Sequence, residues 1–113
     1  MGNRTPVAAG QARIECVGVS AADRRRVDVA VDVTPCVEPL TVELVVVDDS
    51  GVELCSAAVV DSREWALDKM LHLRRDAGLG EHTLHVGLFR EEALVDHVVR
   101  RFCFPQPDAT GGE

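Results

Sequence analysis

Residues 26–34 read RVDVAVDVT, and the alternation within this stretch decides the fold class. Every odd-numbered position from 27 to 33 is valine, whereas aspartate and alanine fill the positions between them. Successive side chains of an extended strand point to opposite faces, so this period of two puts the valines on one side. The stretch therefore predicts a β-strand with one buried face and one solvent face.

The segments around this strand show the same kind of alternation, and turn residues separate them. Asp48-Asp49-Ser50-Gly51 predicts a hairpin turn, because Asp and Ser bond their own backbone and Gly accepts a positive φ. Residues 90–92 (REE) predict the turn of a last hairpin. The further predicted strands are 12–20 (ARIECVGVS), 40–49 (LTVELVVVDD), 52–60 (VELCSAAVV), 81–89 (EHTLHVGLF) and 93–104 (ALVDHVVRRFCF).

Residues 61–75 (DSREWALDKMLHLRR) fit both a helix and a strand. Asp61 with Glu64 three residues later resembles a capping box, and Ala66, Met70 and Leu73 would then share a helical face. A strand would instead place one set of mostly apolar side chains on a single side, namely Trp65, Leu67, Lys69, Leu71 and Leu73. We favour the strand, because one position breaks its alternation and every other segment is a strand.

Seven short strands at this spacing predict an all-β fold, a seven-stranded antiparallel sandwich. Their order is two strands, a hairpin, one strand and a final hairpin, which resembles an immunoglobulin-like or fibronectin-III-like sandwich. The resemblance covers residues 12–104, and we expect flexible tails at residues 1–11 and 105–113. It is at the level of the superfold and implies a scaffold, not a function.

His82 lies in the most specific part of the resemblance. The stretch DAGLGEHTLHV (76–86) is similar to the passage into the sixth strand of such domains, where a tyrosine often bonds the backbone upstream. We interpret His82 as a partly buried imidazole with one nitrogen bonded to a turn carbonyl. The alternative is a metal ligand or acid–base group, but His85 would point to the opposite face and could not share an ion with it.

The net charge of −7 and the pI near 5.0 argue against nucleic acid or an anionic membrane as the partner. No apolar stretch approaches the roughly 18 residues that a membrane-spanning helix needs, so we expect no membrane insertion. No export signal is visible, so we expect a cytoplasmic protein with reduced thiols, and export stays open if the N-terminus has been trimmed. The cysteines have no zinc-binding spacing.

The sequence contains no recognisable catalytic or phosphate-binding motif. We therefore predict no enzyme activity, no catalytic residues, no metal ligands and no cofactor. His85 and His97 are predicted to lie opposite each other in the last hairpin, as a polar contact or a weak cation site. A small metal or redox sandwich enzyme is a further alternative, because superoxide reductases hold iron on a similar sandwich. The motif expected there is absent, since Phe104-Pro105 follows Cys103.

The main functional hypothesis is a non-catalytic protein–protein interaction or assembly module, either an accessory subunit or a homo-oligomer. Its partner would be another protein or a second copy, bound through an apolar outer sheet face. The residues predicted to form this interface are Val45, Val47, Cys55, Ala57, Val59, His85 and Phe89.

The alternative is an exported ligand-binding, carbohydrate-binding or adhesion domain that uses loops at one end of the sandwich. Trp65 is the only tryptophan and there is no tyrosine, which argues against an aromatic sugar platform. The loop residues predicted for this alternative are Thr34, Cys36, Glu38, Gly80 and Glu81.

Overall fold

All seven predicted strands are present in the computed structural model, which describes residues 5–78 and 80–105. They are β1 (Ile14–Asp23), β2 (Arg26–Val33), β3 (Leu40–Val47), β4 (Glu53–Ser62), β5 (Ala66–His72), β6 (Glu81–Arg90) and β7 (Ala93–Cys103). The strand interpretation of residues 61–75 is confirmed, because β5 lies there and no helix does. A short 3-10 turn at Ala9–Gln11 precedes β1. No helix within the described part of the chain has the length and apolar character to cross a membrane.

The strands form two antiparallel sheets, one with the order β1-β2-β5 and one with the order β4-β3-β6-β7. This confirms the seven-stranded antiparallel sandwich. The strand β4 pairs with β3, whereas constant-type immunoglobulin domains place their fourth strand in the other sheet.

The core lies between the two sheets and is built mainly by the central strands. β2 contributes its valines, all at most 2% exposed, and β3 and β6 contribute alternate aliphatic side chains that are equally buried. Trp65 and Leu67 of the β5 region pack against this core, and Leu71 is part of it. The period of two in the sequence therefore corresponds to one buried face on each central strand.

The edge strands carry the irregularities of the sandwich. The register shows one extra residue at each end of β1 and at each end of β4, and one in β7. Two edge strands also carry a charged side chain that points toward the core side. These are Lys69 of β5, opposite the buried Val29, and Arg100 of β7, opposite the buried Leu84. Bulges and inward charges both oppose the addition of another strand to a sheet edge. Each of the four edge strands therefore has a feature that protects it.

Part of the predicted N-terminal tail packs on the sandwich. The amide of Val7 donates to the carbonyl of Pro35, and the amide of Val37 donates to the carbonyl of Val7. Ala9 is 2% exposed and belongs to the core. Backbone hydrogen bonds and burial thus hold residues 7–9, whereas residues 1–4 and 106–113 of the predicted tails lie outside the described part.

Turn chemistry matches the prediction at the β3–β4 hairpin. One carboxylate oxygen of Asp48 accepts hydrogen bonds from the amides of Ser50 and Val52, both at 2.9 Å. These bonds hold the pKa of Asp48 below its ordinary value, with the contact to Val52 contributing most. Gly51 has a φ of 86°, which its missing Cβ permits.

Candidate functional site

His82 is a structural residue of the core. It is completely buried, and its Nδ1 lies 3.2 Å from the carbonyl oxygen of Gly80. Its ring centroid is 4.8 Å from that of Phe104 and 5.9 Å from that of Phe102. Nε2 is buried and has no hydrogen-bond partner among the described residues. The imidazole therefore packs as an aromatic ring with one satisfied nitrogen, as the sequence predicts.

The candidate site is the face of the four-stranded sheet that points away from the core, which we call the outer face. Two adjacent depressions cover much of it, with volumes of about 430 and 300 Å³. Its apolar side chains include Leu94, which is 58% exposed, and Val99, which is 41% exposed. The outer face comprises Thr41, Glu43, Val45, Val47, Glu53, Ser56, Ala58, Thr83, His85, Gly87, Phe89, Leu94, His97, Val99 and Arg101.

Four of the seven predicted interface residues lie on this face and three do not. Val45, Val47, His85 and Phe89 are placed as predicted. Cys55, Ala57 and Val59 point toward the core side instead, because they lie opposite the buried residues Val46, Leu44 and Val42. The prediction is wrong for these three positions.

A bulge in β4 explains the error. Next to the turn, Glu53 lies opposite Val47, but one step further Cys55 lies opposite Val46, so Leu54 is the extra residue. Both Leu54 and Cys55 are buried, at 2% and 8% exposure. A shift of one residue moves every following side chain to the other face of a sheet. Ser56 and Ala58 consequently occupy the outer face.

Leu94, Val99 and Arg101 of the outer face were not predicted from the sequence, and a bulge in β7 accounts for Leu94 alone. Val95 is an extra residue in β7, since Leu88 lies opposite Asp96 while Phe89 lies opposite Leu94. Beyond the bulge, His97, Val99 and Arg101 alternate on one face, and this spacing was the signal available in the sequence.

The histidine pair forms by a diagonal contact, not by the direct pairing that the sequence predicts. The register places His85 opposite Val99 and His97 opposite Gly87. The two rings nevertheless stack, with centroids 5.4 Å apart and His85 Nδ1 3.3 Å from His97 Nε2. No group of three or more His, Cys, Asp or Glu side chains suited to a metal ion occurs within the described residues.

Phe89 covers the glycine at the centre of the smaller depression. A Cβ added to Gly87 would lie 2.7 Å from Phe89 Cε1, so the ring occupies the space that a side chain at position 87 would fill. His85, His97 and Leu94 line the same depression. The result is a shallow, mainly apolar surface that also carries two imidazoles.

The other depression lies on the β3 and β4 half of the outer face and is more polar. Glu43 and Glu53 line it together with Ser56. Glu53 also forms an exposed salt bridge with Arg74, with 3.1 Å between the carboxylate oxygen and the guanidinium nitrogen. The two depressions share Glu43 and Val45.

The solvent face of the three-stranded sheet is acidic. Asp28, Asp32 and Asp68 lie on it, and Asp28 is a diagonal neighbour of Asp68. A hydrogen bond that protonated Asp28 donates to the Asp68 carboxylate raises the pKa of Asp28, and the loss of solvation adds to this effect.

We expect Asp28→Asn to raise the melting temperature at pH 7. A raised folded-state pKa means that ionisation of Asp28 opposes folding at pH values above that pKa, and asparagine removes the opposing charge. The gain should disappear as the pH falls through this pKa toward the ordinary value of about 3.9. Thermal unfolding between pH 3 and 7 measures it. Asp32→Asn is the matched control, and an equal gain from the control would contradict the paired-carboxyl interpretation.

The loop residues of the alternative site lie at opposite ends of the sandwich. The prediction that they form a single site at one end is therefore wrong. Three strands separate the β2–β3 loop from the β5–β6 loop, and an odd number of antiparallel strands carries the chain to the other end. Thr34, Cys36 and Glu38 lie at one end, where Cys36 is buried and Glu38 forms a salt bridge with Arg90. Gly80 and Glu81 lie beside the β3–β4 turn at the other end.

All four cysteines are free thiols in the structure. Cys16 and Cys103 are exposed, whereas Cys36 and Cys55 are buried. Burial raises the pKa of Cys55, which lowers its thiolate fraction and its reactivity.

Solved structures of other proteins contain a domain with a similar fold. A β-glucuronidase from Bifidobacterium dentium in complex with coumarin-3-O-glucuronide is 14% identical over 88% of this chain and 18% of its own, with a TM-score of 0.65. The Lactobacillus rhamnosus β-glucuronidase is 20% identical over 83% of this chain and 16% of its own, with a TM-score of 0.56. A putative β-galactosidase from Bacteroides fragilis is 14% identical over 82% of this chain and 17% of its own, with a TM-score of 0.55.

This chain thus spans less than a fifth of each of these enzymes. No protein-family model matches the chain. No curated protein matches its sequence.

Proposed function

We propose that this chain is a non-catalytic β-sandwich module of a carbohydrate-related protein or assembly, and that it acts by docking onto a protein surface. The observation that carries the proposal is the outer face. Val45, Phe89, Leu94 and Val99 lie there together, and Leu94 and Val99 are well exposed. Clustered apolar side chains on an exposed face are characteristic of interaction sites.

Two further observations support this function. The acidic solvent face of the other sheet would bury like charges if it docked, which favours the outer face as the contact surface. The similar parts of β-glucuronidases belong to much longer chains, which is consistent with a module that works beside other protein surfaces in a carbohydrate context.

Site-specific photo-crosslinking in the host tests the docking function. A photoreactive phenylalanine analogue replaces Leu94 on the outer face or, as a matched control, Met70 on the solvent face of the three-stranded sheet. We expect protein adducts from position 94 and none from position 70, with the adduct mass identifying the partner. Equal adducts from both positions, or none from position 94, would contradict docking through the outer face.

Direct sugar binding at the outer face is a second candidate function. The observation that favours it is the aromatic ring of Phe89 over Gly87, with Glu43 and His97 lining the same depression. Isothermal titration with glucuronic-acid and galactose oligosaccharides tests this candidate on the wild type and on Phe89→Ala. Binding heat that the variant loses would support sugar binding, whereas no heat from the wild type would reject it for these sugars.

A further inference from the structure

The charged side chains of the outer face are distributed unevenly between its two halves. The β3 and β4 half carries the carboxylates of Glu43 and Glu53. The β6 and β7 half carries the guanidinium of Arg101 and the imidazoles of His85 and His97, with the carboxylate of Glu81 one outward position beyond the Arg101 row. If the face is turned over, the half that carries Glu53 meets the half that carries Arg101, so these two opposite charges can pair.

The register places one acidic and one basic residue at the two ends of the same row. Glu53 lies opposite Val47 at the β4 side, and Arg101 lies opposite Thr83 at the β7 side. Val47 and Thr83 are themselves paired at the centre of the sheet. Arg101 forms no ion pair with any other described residue of the chain, so its charge is available to a partner.

Association through a sheet edge is disfavoured in this fold. Bulges interrupt both ends of β1 and of β4, and the inward-pointing side chains of Lys69 and Arg100 protect β5 and β7. Strand addition needs a regular row of free backbone groups at an edge. A second copy would therefore associate through a sheet face and not through a sheet edge.

We propose that the protein surface covering the outer face is a second copy of this chain, and this inference rests on the proposed docking function. A two-fold axis parallel to the strands, between β3 and β6, relates the copies. It places β4 of one copy over β7 of the other, so that Glu53 faces Arg101 at both ends of the row. Val45 of one copy then lies over His85 of the other, in the same row.

The size of the face is consistent with a weak dimer. Four strands about 4.8 Å apart and roughly eight residues long cover about 500 Å² on each copy. Two copies would bury about 1,000 Å² in total, at the low end of stable interfaces. We expect a dissociation constant on the order of micromolar or weaker. The long side chains of Glu53 and Arg101 can bridge the offset of an aligned packing angle of about 30°.

Charge exchange between the two residues tests the arrangement. Sedimentation equilibrium of the wild type should show a monomer–dimer equilibrium, and Glu53→Arg or Arg101→Glu alone should weaken it roughly tenfold or more, because like charges then face each other. Mixing the two single variants should restore association, since each arginine then faces a glutamate of the other chain. The double variant should also dimerise.

Controls separate loss of association from loss of folding. Arg100→Glu makes the same charge change on the same strand but on the opposite face, and it should leave the dimer unchanged. Glu53→Arg also removes the exposed salt bridge to Arg74, which contributes under about 1 kcal/mol, and thermal melting checks that each variant is folded.

The outcomes distinguish this inference from the docking function beneath it. A monomeric wild type, or a mixture of single variants that stays monomeric, overturns the two-fold arrangement. If position 94 still crosslinks to a different protein, the docking function stands and only the second copy is rejected. If the wild type is monomeric and position 94 crosslinks to nothing, both are rejected.

Discussion

Replacing His82 with alanine should lower the free energy of unfolding by about 3 kcal/mol. The side chain is fully buried and packs against the rings of Phe102 and Phe104, so its removal leaves a cavity in the core. It also removes the hydrogen bond to the Gly80 carbonyl, which contributes about 1 kcal/mol. Urea unfolding followed by tryptophan fluorescence measures the loss.

His82→Phe is the matched control for this prediction. Phenylalanine keeps an aromatic ring in the site and removes the buried Nε2 that has no partner among the described residues, at the cost of the bond to Gly80. These effects oppose each other, so we expect a change within about 1 kcal/mol. An equal loss for both variants would show that the hydrogen bond, and not the packing, is the main contribution of His82.

Replacing Cys55 with aspartate should cost more than about 3 kcal/mol, while Ser56→Asp should change stability by less than about 1 kcal/mol. Cys55 is buried opposite Val46, so aspartate would bring an unpaired carboxylate into the core. Ser56 lies on the outer face opposite Val45, where a carboxylate stays hydrated. Denaturant unfolding of the two variants provides the comparison.

This pair of variants tests the bulge at Leu54 directly. Without the bulge, β4 would present Cys55 to solvent, as its sequence pattern predicts, and Ser56 to the core. A folded Cys55→Asp protein together with an unfolded Ser56→Asp protein would therefore show that the register of β4 is off by one residue.

Much of the fold follows from local sequence. The valines of residues 26–34 and the alternation in residues 81–89 predict strands with one buried face, and both faces are as predicted. The turn at Asp48 and Gly51 follows from the conformational preferences of Asp and Gly. Even the inward orientation of His82 and its bond to a turn carbonyl follow from its place in the alternation, although its burial is more complete than predicted.

Pairing between strands decided the rest. The alternation within β4 is visible in the sequence, but its phase relative to β3 depends on Leu54, an ordinary side chain that becomes a bulge because both Leu54 and Cys55 gain burial. The same holds for Val95 in β7, which determines that His85 meets His97 diagonally. A period of two is a property of one strand, whereas the face that it presents is set by its neighbour. The sequence by itself therefore determined the sandwich and the buried faces of its central strands, and only the tertiary structure decided which side chains of β4 and β7 share the outer face.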